Sequence, residues 1–204
     1  HRPPGADIHA IPTCGSGSFL IYAYQVLANF YRKMNKAIDE ERVKLITPVA
    51  GPDMFQRMEM LNNTPEPVID YPQHILSKHL YGVDIDPEAA EIAAVNLTMT
   101  AFADSRKEKL PLILDENIKV GNSLISGTEE ELKKYFGEKW QDKRPFNWEE
   151  EFPDIMQGGG FDVVVGNPPY VRQEQLQELK PALQKQYECY TGIADIYVYF
   201  YERG

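Results

Sequence analysis

The sequence predicts an α/β fold, a doubly wound and mostly parallel sheet, on three observations. Segments of strand character alternate with segments of helical periodicity. A glycine-bearing loop joins the first strand to the first helix, and the last strand, FDVVV, is an unbroken run rich in β-branched residues. Such alternation calls for helical crossovers on a parallel sheet, and a strand without apolar–polar alternation reads as buried on both faces.

Each element follows from its residues. ADIHAI (6–11) is an apolar-leaning strand and PTCGSGS (12–18) a small-residue loop. FLIYAYQVLANFYRKM (19–34) is a helix with Leu20, Tyr24, Leu27 and Tyr31 on one face. HLYGVDIDPEAAEIAAVNLTMTAF (79–102) repeats the plan, with a strand through Val83, a helix start at Asp86-Pro87, and an alanine-rich helix whose apolar face is expected at Ile92, Val95 and Met99. NIKVGNSLI (117–125) is the third strand and FDVVVG (161–166) the fourth. Two long connections separate these units. Residues 42–79 hold five prolines and read as an insertion with one short helix near Phe55 to Leu61. Residues 126–160 form an acidic, aromatic surface segment, in which EEELKKYF (129–136) is a surface helix and RPFNWEEEFPDIMQGGG (144–160) a loop.

Composition narrows the function. With 204 residues, 43% of them hydrophobic, the chain can bury one sizeable core as a single domain. A net charge of −10 argues against a chain that grips a phosphate backbone unaided, because that affinity comes from Lys and Arg displacing counterions. The two cysteines, Cys14 and Cys189, and the four histidines have no metal-ligand spacing and no disulfide pattern, which fits a reducing cytoplasm and no metal. No apolar run approaches the ~20 residues that span a bilayer, and HRPPGADIHA lacks the layout of a signal peptide.

In an open parallel sheet, ligands bind beyond the carboxyl ends of the strands. The first strand ends in CGSGSF, whose glycines allow close backbone approach and whose amides open a helix, although a tight strand-to-helix turn needs the same residues. The second ends in GVDIDP. Asp84, at the strand tip, can accept both hydroxyls of a ribose, whereas Asp86 before Pro87 is placed to cap a helix. Asp84 lies much further from the glycine loop than the usual ~20 residues, a gap that the proline-rich insertion accounts for. In GNSL at the third end, Asn122 suits either the edge of an adenine ring or an Asx turn.

The fourth end carries NPPY. Pro168 and Pro169 fix two backbone angles and remove two amide donors, so the Pro168 carbonyl and the Asn167 side chain are held rigidly. Two carbonyl-type oxygens can accept the two hydrogens of an exocyclic amine. This favours the pyramidal, more cationic nitrogen that forms as the amine attacks, and Tyr170 can stack on the base that carries it. A stiff Asn-Pro turn is the plainer reading of NPPY taken alone.

The set CGSGSFL, YGVDIDP, KVGNSLI and FDVVVGNPPYVRQ, each at a strand end, with FNWEEEFP and GIADIYVYFYERG, resembles the S-adenosylmethionine-dependent DNA adenine-N6 methyltransferases of type II restriction-modification and phage-defence systems. The resemblance implies a Rossmann-like sheet of the class I methyltransferase type, incomplete at both ends, with residues 1–204 as a partial catalytic domain. Strand order 3-2-1-4 would leave strand four at an edge. The resemblance also implies a cofactor site at Pro12, Cys14, Gly15, Ser16, Gly17 and Phe19 for the methionine part, Asp84 for the ribose, and Ile85 and Asn122 for the adenine. Asn167, Pro168 and Tyr170 would position the target base, with Asp195 and Tyr197 beside it. The implied partner is double-stranded DNA with a flipped base, held by recognition regions outside this chain, together with a nuclease or specificity domain, in a prokaryotic cytoplasm and with no membrane. Ile11 stands where the family usually has an acidic residue. Methylation of guanine N2 in ribosomal RNA or of a protein glutamine, and a non-catalytic cofactor-binding or assembly module, are the alternatives.

Overall fold

Four parallel strands make one sheet in the order β3-β2-β1-β4: β1 (His9–Ile11), β2 (Leu80–Asp84), β3 (Ile118–Val120) and β4 (Val163–Val164). The computed structural model describes residues 9–47, 53–169, 171 and 176–204. The expected α/β fold and strand order are both present. Ala10 pairs with Tyr81 on one side and with Val164 on the other, so β1 is central and β4 lies at an edge.

One face of the sheet is covered by α1 (Ser18–Ile46), α3 (Tyr71–Lys78) and α4 (Pro87–Asp104). Leu20, Tyr24, Leu27 and Tyr31 are all buried in this core, as their spacing predicts. However, α1 runs twelve residues past the expected end, through Ile46. Its second half has no apolar stripe to announce it and is held by polar ties instead: Asn35 exchanges hydrogen bonds with the backbone of Val68, at 2.9 and 2.8 Å. The proline-rich connection therefore holds the end of α1, α2 (Met54–Asn63) and α3, rather than one short helix.

The buried face of α4 differs from the expectation. Ala90, Ala93, Ala94, Leu97 and Ala101 are buried, whereas Ile92, Val95 and Met99 are 49, 60 and 66% exposed. Close approach explains the reversal. Gly17 sits against Ala93 so tightly that an added Cβ would lie 3.0 Å from the Ala93 Cα, and only a small-residue face fits there. Asp86 caps α4 by accepting from the Glu88 amide at 3.1 Å.

The opposite face is built from segments expected to be loop. Phe146, Trp148, Phe152 and Ile155 are buried against Ala10 and Val83 of the sheet; two short helices, α6 (Trp148–Glu151) and α7 (Pro153–Gln157), carry Trp148 and Ile155, and Phe152 joins them. Ring pairs such as Phe146–Trp148 (5.0 Å, 78°) and Tyr81–Phe152 (5.3 Å, 82°) have the edge-to-face geometry that aromatic quadrupoles favour. The predicted surface helix is present as α5 (Glu129–Phe136), opened by a capping box between Thr128 and Glu131. Leu132 of α5 packs with α8 (Lys180–Gln186) and α9 (Ile196–Arg203) through Leu183, Tyr187 and Tyr199.

Both late strands are shorter than expected. β3 ends at Val120, because Asn122 turns the chain by accepting from the Leu124 amide at 3.2 Å. β4 is not buried on both faces: Val163, Val164 and Val165 are 36 to 39% exposed, and among the described residues β4 pairs on one side only.

Candidate functional site

Three strand ends converge at the carboxyl edge of the sheet. The Cys14 amide donates to the Val83 carbonyl at 3.1 Å, tying the end of β1 to β2. Gly17 then opens α1 at φ +89°, a left-handed angle suited to glycine. Between them the Gly15 amide donates to Oδ2 of Asp84 at 2.8 Å, and Oδ1 of Asp84 accepts from the Asp86 amide at 3.0 Å. Asp84 is thus half-buried and aimed across the glycine loop, with lone pairs left over, since a carboxylate accepts about four hydrogen bonds. Ile85, next in the chain, presents an exposed apolar side chain.

The end of β3 joins this group. Asn122 is buried, its side-chain oxygen is engaged in the Asx turn, and its amide donates to the Arg144 carbonyl at 2.6 Å. The Ser123 hydroxyl donates to the Pro12 carbonyl, which fastens this strand end to the glycine loop. A carboxylate with acceptor capacity to spare and an exposed apolar side chain stand together at this rim, a pair that suits the ribose and base of a nucleoside.

Not every predicted loop residue contributes its side chain. Cys14 is 3% exposed and packs in the core under the loop, where burial, and then the Asp84 charge, push its thiol up to about 12. Ser16 and Phe19 are exposed at the start of α1. Ile11, where the resemblance expects an acid, is 1% exposed and belongs to the same core as Cys14.

Next to this rim is a cleft of about 1010 Å³, lined by Pro12, Asn167, Pro168, Asp195 and Tyr197 among others. The structure therefore brings four predicted target-base residues to one cleft, and Pro12, whose carbonyl accepts from Ser123, lines it too. Gly166 lies beside the same loop: a Cβ there would stand in ordinary van der Waals contact with the Pro12 ring, at 3.6 Å, and with Oγ1 of Thr13, at 3.8 Å. Tyr170 lies outside the described residues.

Three further residues emerge only from the structure. Phe200 and Tyr201 line the same cleft, and the Tyr201 ring meets Tyr197 edge-on at 6.3 Å. Aromatic spacing of four residues in IYVYFYER was the available signal for Tyr201. Thr13 has a buried hydroxyl without a hydrogen-bond partner among the described residues, located between the glycine loop and the NPP turn. Such a buried orphan suits a ligand atom that completes it. Among the described residues, no helix is long and apolar enough to cross a membrane.

The chain is 28% identical over 205 residues to the type II restriction enzyme and methyltransferase RM.Eco57I of Escherichia coli, across 94% of this chain and 18% of that protein. It is 31% identical over 189 residues to the adenine-specific methyltransferase PglX of Streptomyces coelicolor, across 76% of this chain and 15% of that protein. Over 58 residues it is 45% identical to the type II methyltransferase M.BstVI of Geobacillus stearothermophilus. The chain thus spans less than a fifth of each relative. Residues 78–204 match the model of the Eco57I restriction-modification methylase, and with more than half of its length inside that match the chain belongs to the Eco57I restriction-modification methylase family.

Proposed function

We propose that this chain forms the methyl-donor and target-base sites of an enzyme that methylates the N6 amino group of adenine in DNA. The observation that carries the reading is the wall at Pro12: this residue lines the cleft holding Asn167, Pro168, Asp195 and Tyr197, and its carbonyl accepts from Ser123, the neighbour of Asn122 at the rim. Methyl transfer needs donor and acceptor atoms side by side, and two adjoining sites meet that need.

S-adenosylmethionine, the donor whose parts this site suits, would supply an electrophilic methyl group on a sulfonium. Asp84 would accept its ribose hydroxyls, Ile85 and Asn122 would hold the adenine, and Pro12, Gly15, Ser16, Gly17 and Phe19 would contain the methionyl end beside the Thr13 hydroxyl. Across the Pro12 wall, Oδ1 of Asn167 and the carbonyl of Pro168 would accept the two hydrogens of the target amine. That interaction strengthens as the nitrogen gains positive character, so it acts on the transition state more than on the bound substrate. Tyr170 would stack on the extruded base, flanked by Tyr197 and Asp195, and the two prolines remove the freedom that a looser turn would have to lose.

A DNA substrate is supported by the restriction-modification family, and adenine as the base by the name of the Streptomyces relative, an adenine-specific methyltransferase. The charge of −10 leaves the grip on the phosphate backbone to regions outside these 204 residues. The Escherichia relative, named as both restriction enzyme and methyltransferase, supports a nuclease as a fused or partner region.

Label transfer from the methyl donor by the full-length protein, offered duplex DNA, RNA and protein in parallel, tests the reading: label is expected in adenine of duplex DNA, and label confined to RNA or protein would overturn it. Asn167→Ala should lower the methylation rate by about 10²-fold or more, the cost of losing one preorganised hydrogen-bonding group. A loss of tenfold or less would count against the proposed clamp.

A further inference from the structure

Arg144 closes the 3₁₀ helix Gly137–Lys143 in a left-handed conformation, φ +48° and ψ +52°. Glycine is the usual occupant of such a helix-ending position, and a residue with a Cβ is strained there. The contacts that Arg144 makes account for its presence. Its Nη1 donates to the carbonyl of Ile85 at 2.6 Å, and its own carbonyl accepts the amide of Asn122, also at 2.6 Å. The following residues keep it there. Pro145 pairs with Asn122, the Phe146 amide donates to the Ile125 carbonyl at 2.7 Å, and Phe146 fills the space over Gly121 so closely that an added Cβ would lie 2.5 Å from its ring.

One residue thus ties together the ends of β2 and β3, and both ends belong to the rim where the adenosine part of the methyl donor would sit. We infer that Arg144 is a positioning residue for that adenosine: it fixes the distance between Ile85 and Asn122, and thereby the width of the slot between them. Its guanidinium is exposed at the rim and is not needed to fill the core, so the tie can be cut without opening a cavity. This inference rests on the proposed cofactor site and adds to it a residue that touches neither the methyl group nor the target base.

The test compares Arg144→Gly and Arg144→Lys with the unmodified full-length protein. Titration with S-adenosylhomocysteine, as the probe of the adenosine slot, should show roughly three- to tenfold weaker binding for R144G, the range for one lost hydrogen bond. The KM for the methyl donor should rise by a similar factor, with kcat nearly unchanged. R144K, which keeps a cationic donor, should restore most of the affinity. Because glycine favours the left-handed angle, R144G should unfold at the same denaturant concentration as the parent, or a higher one. Equal affinity of R144G and parent would overturn the inference while leaving the cofactor site intact. So would a loss of affinity accompanied by a matching loss of stability or kcat. Failure of the unmodified protein to bind S-adenosylhomocysteine would overturn the cofactor site and this inference together.

Discussion

Cys14 shows how one residue can sit inside a functional motif without lending it chemistry. Its backbone amide ties β1 to β2, but its thiol is buried in the core and raised to about 12, so very little thiolate exists near neutral pH. Alkylation at about pH 8 should leave Cys14 unlabelled in the folded protein and label it once denaturant opens the core; rapid labelling of the native state, read by peptide mass, would contradict this placement. Asp84 and Asn167 were legible in the sequence because each stands at the tip of a strand, next to residues that restrict the backbone. Ser123 and Arg144 were not. Their importance lies in partners up to 111 residues away, such as the Pro12 carbonyl for Ser123, and local sequence has no record of such pairings.

At the level of elements, periodicity located helices well and their buried faces less well. For α1, the apolar stripe and the buried stripe coincide. For α4, the larger residues face outward because contact with the glycine loop admits only alanine, so steric fit overrides hydrophobicity. The segment 144–160 was hidden for a different reason: its aromatics are interrupted by charged and helix-breaking residues, and the short helices α6 and α7 form only because Phe146, Trp148 and Phe152 find one another beneath the sheet. Phe152 also touches Tyr81 and Phe161, and the Lys119 ammonium lies 5.2 Å from its ring. Phe152→Ala should therefore cost about 3–5 kcal/mol in chemical denaturation, the range for an aromatic residue removed from a packed core. A change below about 1 kcal/mol would mean that this segment is the surface loop its composition suggests.

At the scale of the whole molecule, the sheet ends at β4, where Val163, Val164 and Val165 are each more than a third exposed and, among the described residues, one row of backbone groups has no partner strand. Exposed apolar strand edges template pairing with other chains. The 204-residue chain prepared alone should associate reversibly at concentrations on the order of 100 µM, and Val163→Lys should suppress this by charging the edge. A chain that sediments as a monomer throughout, with or without the lysine, would refute the expectation. The sequence by itself determined the fold class, the strand order expected from its family resemblance, and the side chains at the strand tips, because these follow from local periodicity and from motifs contiguous in the chain. Packing alone settled which face of α4 is buried, that the segment 144–160 builds a core, and that Pro12 of the glycine loop and the NPP turn line one cleft. Those outcomes depend on how closely distant surfaces fit, a property of the packed chain that no stretch of residues carries alone.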